Sequence, residues 1–223
     1  MNVQFNLSAL TPDEWSQLTN INHALDFLAT RVDLLDSYLI HTQTTPWEVL
    51  ISAVKFDNQL LFETVYNTYC KAINSQELRN LRAIVIEHGR LNMLQYLLNH
   101  DLSQSGCLTI SARLGQLNLV KYLLSQGSYI NENDGAPLID SIEFGQNSVA
   151  HYLITMNADL TIDQTQPLRS ALEKGNTLLV QLILEKGRDR GIKINIIDPS
   201  KREKYIMRAR LDDDQTLINI LTG

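Results

Sequence analysis

Apolar residues in this chain recur at helical spacing in several stretches whose surface residues differ. In the stretch from Gly115 to Gly127 they fall at i, i+1, i+4 and i+5, along one face of a helix. These positions are Leu119, Val120, Leu123 and Leu124, whereas Lys121 and Gln126 lie off the stripe. The same outline begins at Gly89, Gly145 and Gly175. We predict a helix at each place, with one face buried against its neighbours.

A second, shorter helical segment precedes three of these glycines. It begins eight residues before the glycine, at Cys107, Pro137 and Pro167, and has small residues near its middle. Small side chains there allow neighbouring helices to pack closely. The predicted unit is a helix, a turn and a second helix. The four glycines are 26, 30 and 30 residues apart, a spacing typical of repeat solenoids.

The ends of the second helices are also marked in the sequence. Gly127, Asn157 and Gly187 follow the apolar stripes, and both residue types accept the left-handed conformation that closes a helix. We predict that each of them ends its helix and that a loop follows.

These units resemble the ankyrin repeat. Residues 136–159, APLIDSIEFGQNSVAHYLITMNAD, are similar to the family pattern in the PL pair, the central serine, the glycine and the final NAD. The best three repeats span about residues 102–189. The register extends to about seven units when Thr30, Phe56 and Asp213 take the glycine position. Terminal repeats are expected to be degenerate, because their outer faces meet water.

The resemblance implies an all-α, ankyrin-like helical repeat solenoid, and the uneven spacing predicts shortened or irregular fingers. Thr109, Ile139 and Arg169 stand where the family has a histidine, so we do not expect the family's usual hydrogen bonds across adjacent loops. We predict three regions. Residues 1–80 form a helical region with degenerate repeats, residues 81–190 hold the best-matching repeats, and residues 191–223 form a basic loop and a C-terminal capping repeat.

Composition fits a folded protein: of 223 residues, 44% are hydrophobic and 20% charged. No apolar run reaches the 18 residues of a membrane helix, and the start lacks the pattern of a secretory signal. Cys70 and Cys107 show neither disulfide nor zinc spacing, so we expect buried, reduced thiols. These observations favour a cytoplasmic protein.

Positive charge is concentrated near the C-terminal end. Residues 186–210 carry nine Lys and Arg against three Asp and Glu, whereas residues 1–185 carry ten against 19. Such a segment could contact an acidic partner, a membrane surface or nucleic acid, or it could be a solvated loop. The net charge of −6 and the lack of aromatic residues besides Tyr205 argue against nucleic acid.

The resemblance implies a monomeric module that binds another protein through a concave surface, without catalysis, cofactor or metal. Its expected contact residues are the pair before each glycine and several finger residues. These are Glu87, His88, Arg113, Leu114, Glu143, Phe144, Glu173 and Lys174, with Tyr129, Glu132 and Asn133 on the fingers. Leu114 and Phe144 are the expected anchors, because an apolar side chain inside a charged rim is typical of a binding hot spot.

Other activities stay open for residues 1–80, with the repeats then serving to target them. LTPDEW resembles the opening of an F-box, the helical module that docks ubiquitin-ligase adaptors, although helix capping alone explains these residues. Apart from that segment, Cys70 could form a nucleophilic site with His88 and Glu87 if the fold brings them together; the alternative is that His88 is an ordinary surface histidine.

The chain is also similar to ankyrin effectors that intracellular bacteria deliver into host cells by type IV secretion. The similarity lies in its 18 Asn and 14 Gln residues, the acidic run 212–214 and Leu221 near the end.

Overall fold

The computed structural model describes residues 28, 31, 34–69, 74–100, 104–192 and 199–222. In these ranges every regular element is an α-helix, so the predicted all-α class is confirmed. The helices are α1 (Leu35–Thr42), α2 (Pro46–Lys55), α3 (Gln59–Tyr69), α4 (Ser75–Glu87), α5 (Leu91–His100), α6 (Cys107–Arg113), α7 (Leu117–Ser125), α8 (Glu132–Glu143), α9 (Asn147–Thr155), α10 (Ile162–Glu173), α11 (Thr177–Asp189), α12 (Pro199–Leu211) and α13 (Gln215–Thr222).

Two compact units divide the chain, Met1–Leu102 and Ser103–Gly223. In the first unit α2 packs on α3 and α4 on α5. In the second unit the pairs are α6–α7, α8–α9, α10–α11 and α12–α13. The region boundaries predicted after residues 80 and 190 stay a prediction.

The second unit has two helical layers. Helices α6, α8 and α10 pack side by side, and α12 is joined to α10 by side-chain contacts; we call these four the inner helices. The outer helices α7, α9, α11 and α13 pack behind them. Small residues at the predicted places, Ser111, Ser141 and Ala171, are fully buried between the helices.

The predicted stripe on α7 is part of the core. Leu119, Val120 and Leu123 are buried, and Leu124 at the edge is half-buried. Val149, Ala150 and Leu153 on α9 and Leu179, Val180 and Ile183 on α11 repeat the arrangement. Each outer helix therefore contributes one apolar face to the shared core.

A left-handed residue joins the two helices of each pair. Gly115, Gly145 and Gly175 have φ of 74°, 73° and 67°. In each case the next backbone N–H donates to the carbonyl five residues earlier, at 2.9, 2.7 and 2.9 Å. This is the pattern of a Schellman motif, which satisfies the last carbonyls of the inner helix. Asp213, with φ of 56°, occupies the same position, as predicted.

At the turn between α2 and α3 in the first unit, the predicted register was wrong by one residue, whereas Gly89, between α4 and α5, is left-handed as predicted, with φ of 66°. Asp57, and not Phe56, has the left-handed conformation, with φ of 59°. The N–H of Asn58 donates to the carbonyl of Ala53 at 2.9 Å, and Ala53 is the fully buried small residue of α2. A short polar side chain tolerates this conformation, which explains why Asp can replace Gly. Thr30, placed at the same position, lies outside the described residues.

Two of the three predicted closing residues are confirmed. Gly127 and Asn157 have φ of 85° and 65°. The prediction for Gly187 is wrong, because Gly187 is buried inside α11 and Gly191, with φ of 68°, closes that helix. The carbonyl of Gly187 accepts the closing bond from the N–H of Ile192 at 2.8 Å, so the turn comes four residues later.

The connections between pairs are short, as predicted. Before the regular part of α8 the chain turns through Asn133, Asp134 and Gly135, whose φ values are 50°, 55° and 77°. No strand occurs in the described residues, and turns take the place of projecting hairpins there.

The basic segment is largely helical where the structure describes it. Residues 186–189 end α11, and residues 199–211 form α12. A solvated loop is therefore the wrong interpretation for these residues. Among the described helices, none is long and apolar enough to cross a membrane.

Candidate partner-binding face

The inner helices of the second unit each end in exposed residues just before the left-handed position. Arg113 and Leu114 are exposed at the end of α6, Glu143 and Phe144 at the end of α8, and Glu173 and Lys174 at the end of α10. Phe144 is 57% exposed and Leu114 40%. We call the surface formed by these inner-helix ends the inner face.

Arg113 links α6 to α8 across the inner face. Its Nε and Nη2 donate to Asp140 Oδ2 at 3.0 and 2.7 Å. The guanidinium carbon lies 5.3 Å from the centre of the Phe144 ring, within the range of a cation–π contact. These contacts restrain the Arg113 and Phe144 side chains on the surface of the free protein.

A shallow groove of about 460 Å³ lies between α8 and α10. Its lining residues are Glu143, Phe144, Ser170, Glu173 and Lys174. Glu143 Oε1 accepts hydrogen bonds from Ser170 Oγ at 3.1 Å and from Gln166 Nε2 at 3.4 Å. The carboxylate of Glu143 is thereby oriented across the groove, and we call this groove the acidic groove.

A second groove of about 340 Å³ lies between α10 and α12, lined by Glu173, Lys204, Tyr205 and Arg208. Tyr205 donates its phenolic hydrogen to Glu173 Oε1 at 3.5 Å. Burial and the Glu173 carboxylate raise the pKa of Tyr205, which favours the protonated phenol that donates this hydrogen bond. Arg208 donates to the backbone carbonyl of Glu173. We call this second groove the basic groove.

The sequence reasoning missed the part of the inner face that α12 supplies. Lys204, Tyr205 and Arg208 line the basic groove, and Leu211, the last residue of α12, is 82% exposed. With Asp213 at the glycine position, the sequence pattern marks Leu211 and Asp212 as the pair before it, but it does not mark Lys204, Tyr205 and Arg208, which lie earlier in α12.

Two of the predicted finger residues have contacts within the fold. Glu132 Oε1 accepts hydrogen bonds from the backbone N–H and the hydroxyl of Thr109, both at 2.8 Å. Asn133 Nδ2 donates to the Thr109 hydroxyl at 3.3 Å. The absence of the family's usual hydrogen bonds across adjacent loops stays a prediction, and at Thr109 the side chains of Glu132 and Asn133 join α6 to the next unit instead. Tyr129 is 67% exposed.

The remaining predicted contact residues belong to the first unit. Glu87 is exposed at the end of α4, and His88 follows it, half-buried. His88 Nδ1 lies 3.0 Å from the carbonyl oxygen of Ile84. Cys70, their partner in the hypothetical nucleophilic site, lies outside the described residues.

In the part of the chain that the structure describes, no cluster of three or more His, Cys, Asp or Glu side chains could hold a metal ion. Cys107 is a buried free cysteine, in agreement with the expectation for that thiol.

Comparison with known proteins identifies the repeats. Residues 108–198, less than half of the chain, match the family model of ankyrin repeats in three copies. No curated protein matches the chain. The matched segment, which runs from α6 to beyond the end of α11, therefore consists of ankyrin repeats. Ankyrin repeats generally mediate interactions between proteins.

Proposed function

We propose that this chain binds a partner protein through the inner face of its second unit. One observation carries the proposal: Phe144 is 57% exposed at the edge of the acidic groove, although its helix packs its other side into the core. A large aromatic side chain within a rim of charged residues is typical of a binding hot spot. Leu114 and Leu211 extend this apolar character along the face.

The separation of buried and exposed positions within each inner helix supports the same function. In α8 the buried residues, among them Leu138, Ser141 and Ile142, hold the helix in the layers. Glu143 and Phe144, one and two positions further on, are exposed. Because the fold is held by the buried positions, the exposed ones can be specialised for a partner.

The proposed contact residues are those that the resemblance implied. Arg113, Leu114, Glu143, Phe144, Glu173 and Lys174 form the inner face, and Tyr129, Glu132 and Asn133 stand beside it on the fingers. Glu87 and His88 occupy the corresponding position in the first unit. We propose that the chain acts as a monomer.

A separate activity in residues 1–80 is the alternative function. Residues 46–69 form a helix pair with the same left-handed turn and buried small residue as the later pairs, at Asp57 and Ala53. This similarity supports a further repeat in this segment over a catalytic or adaptor domain.

We also propose that the chain is an effector that acts in the cytoplasm of a host cell, a proposal supported by its many Asn and Gln residues. The C-terminal features add no support, because the fold accounts for them. Asp213 forms a left-handed turn, Asp214 accepts a hydrogen bond from the N–H of Leu217 at 2.9 Å, and Leu221 is fully buried.

The proposed function is tested by Phe144→Ala in the full chain. We expect that the variant no longer retains the proteins that the wild type retains from a host-cell lysate. The thermal unfolding curve of the variant should change little. Met156→Ala is the matched control, because Met156 is 48% exposed at the end of outer helix α9. Retention of the same proteins by the Phe144 variant would contradict the proposal. Charge reversal at Arg113 is a poorer test, since it would place a carboxylate beside Asp140.

A further inference from the structure

The two neighbouring grooves of the inner face differ in charge. In the acidic groove the carboxylates of Glu143 and Glu173 lie beside the Phe144 ring. Among the described residues, neither carboxylate belongs to an ion pair. Lys174 also lines the groove. The Arg113 guanidinium over the Phe144 ring is paired with Asp140, so in the described ranges two unpaired negative charges stand against one unpaired positive charge. This groove favours a cationic side chain.

The basic groove has the opposite preference. Lys204 and Arg208 stand there against the single carboxylate of Glu173. Arg208 Nε lies 3.6 Å from Asp212 Oδ2, an exposed pair that neutralises only part of this charge. Lys204 Nζ lies 6.0 Å from the centre of the Tyr205 ring and forms no ion pair in the described part of the chain. This groove favours an anionic side chain.

The spacing of the helices relates the two grooves to a bound peptide. The two grooves lie on either side of α10, so about one helix width of 10–12 Å separates them, and an extended peptide advances about 3.3 Å per residue. One step from the acidic to the basic groove thus corresponds to about three residues of extended chain.

We infer that the partner presents an extended segment in which a Lys or Arg is followed or preceded, about three residues away, by an Asp or Glu. This inference rests on the proposed function. The basic side chain lies in the acidic groove, with its aliphatic stem against Phe144 and its charged head near Glu143 and Glu173. The acidic side chain accepts hydrogen bonds from Lys204 and Arg208 in the basic groove. A uniformly anionic partner, such as nucleic acid or an acidic membrane, is repelled by Glu143 and Glu173.

The experiment selects ligands for the full chain from a displayed library of random peptides about 12 residues long, enough to span about 40 Å when extended. We expect enrichment of peptides with opposite charges three residues apart. For the enriched peptides, made synthetically, Glu143→Gln should weaken binding about two- to fivefold, the range for an exposed ion pair. Their affinity should also fall as the salt concentration rises.

Charge-swapped variants make the test specific. Selection on Glu143→Lys should favour an acidic residue where the wild type favours a basic one, and selection on Lys204→Glu should change the other position. Glu185→Lys is the matched control, because Glu185 is exposed on outer helix α11 and the change in net charge equals that of Glu143→Lys. The control should select the same peptides as the wild type.

The outcomes separate this inference from the proposed function. Some peptides could lose binding with Phe144→Ala but carry no paired charges and bind the charge-swapped variants unchanged. That result would overturn the inference about paired charges and leave the proposed function standing. Peptides that bind the Phe144 variant as well as the wild type would overturn both. Failure to enrich any charge-paired peptide would also count against the inference.

Discussion

The buried stripe of the outer helices gives the sharpest stability prediction, at Leu123 in α7. Its side chain is fully buried, one turn after Leu119 and next to the core that the inner helices share. Leu123→Ala removes three buried carbons and leaves a cavity that rigid neighbouring helices cannot fill completely. We expect a loss of about 2–5 kcal/mol in the free energy of unfolding.

Leu178→Ala is the control for this substitution. Leu178 also lies on an outer helix, α11, but it is 78% exposed. The chemical change and the gain in helix propensity are the same, so only burial differs. The control should change the free energy of unfolding by no more than about 0.5 kcal/mol.

The assay is urea denaturation followed by the helical circular dichroism signal. Because each repeat contacts only its neighbours, a weakened α6–α7 pair can unfold separately from the α8–α9 pair. The slope of the transition should therefore be compared along with its midpoint. If Leu123→Ala lost less than about 0.5 kcal/mol, or no more than Leu178→Ala, the stripe would not be the core of this solenoid.

Two further predictions concern helix ends. Gly127→Val places a β-branched residue at a φ of 85°, where the added Cβ meets no atom within 4 Å. We therefore expect backbone strain alone to lower the free energy of unfolding, by about 1–2 kcal/mol in urea melts. Unchanged stability would refute the closure of α7 at Gly127. Asp214→Ala removes the N-cap of α13 and should lower stability by about 0.5–2 kcal/mol at pH 7. Hydrogen bonds from Thr177 and from the N–H of Leu217 lower the pKa of Asp214, so its stabilisation is present above the ordinary carboxyl pKa and lost as the pH falls through the lowered value. The difference between wild type and variant should shrink in acid, and a difference that grew there would refute this role.

Local pattern in the sequence determined the repeated unit of this protein. The spacing of Leu119, Val120 and Leu123 follows directly from the helical period, so the buried face could be predicted without knowing its neighbours. Gly115 and Gly145 marked the turns because a left-handed residue is a local requirement of the chain. For the same reason the ends of the inner helices, including Phe144, could be placed on one exposed surface.

The tertiary structure decided what depends on contacts between units. Asp57 could be distinguished from Phe56 only when the packing showed that Ala53 is the buried small residue of α2. The hydrogen bonds from Thr109 to Glu132 join residues 23 positions apart, and the contact of Tyr205 with Glu173 joins residues 32 apart. Helical periodicity describes neighbours within about one turn, whereas the grooves arise where side chains from different repeats meet.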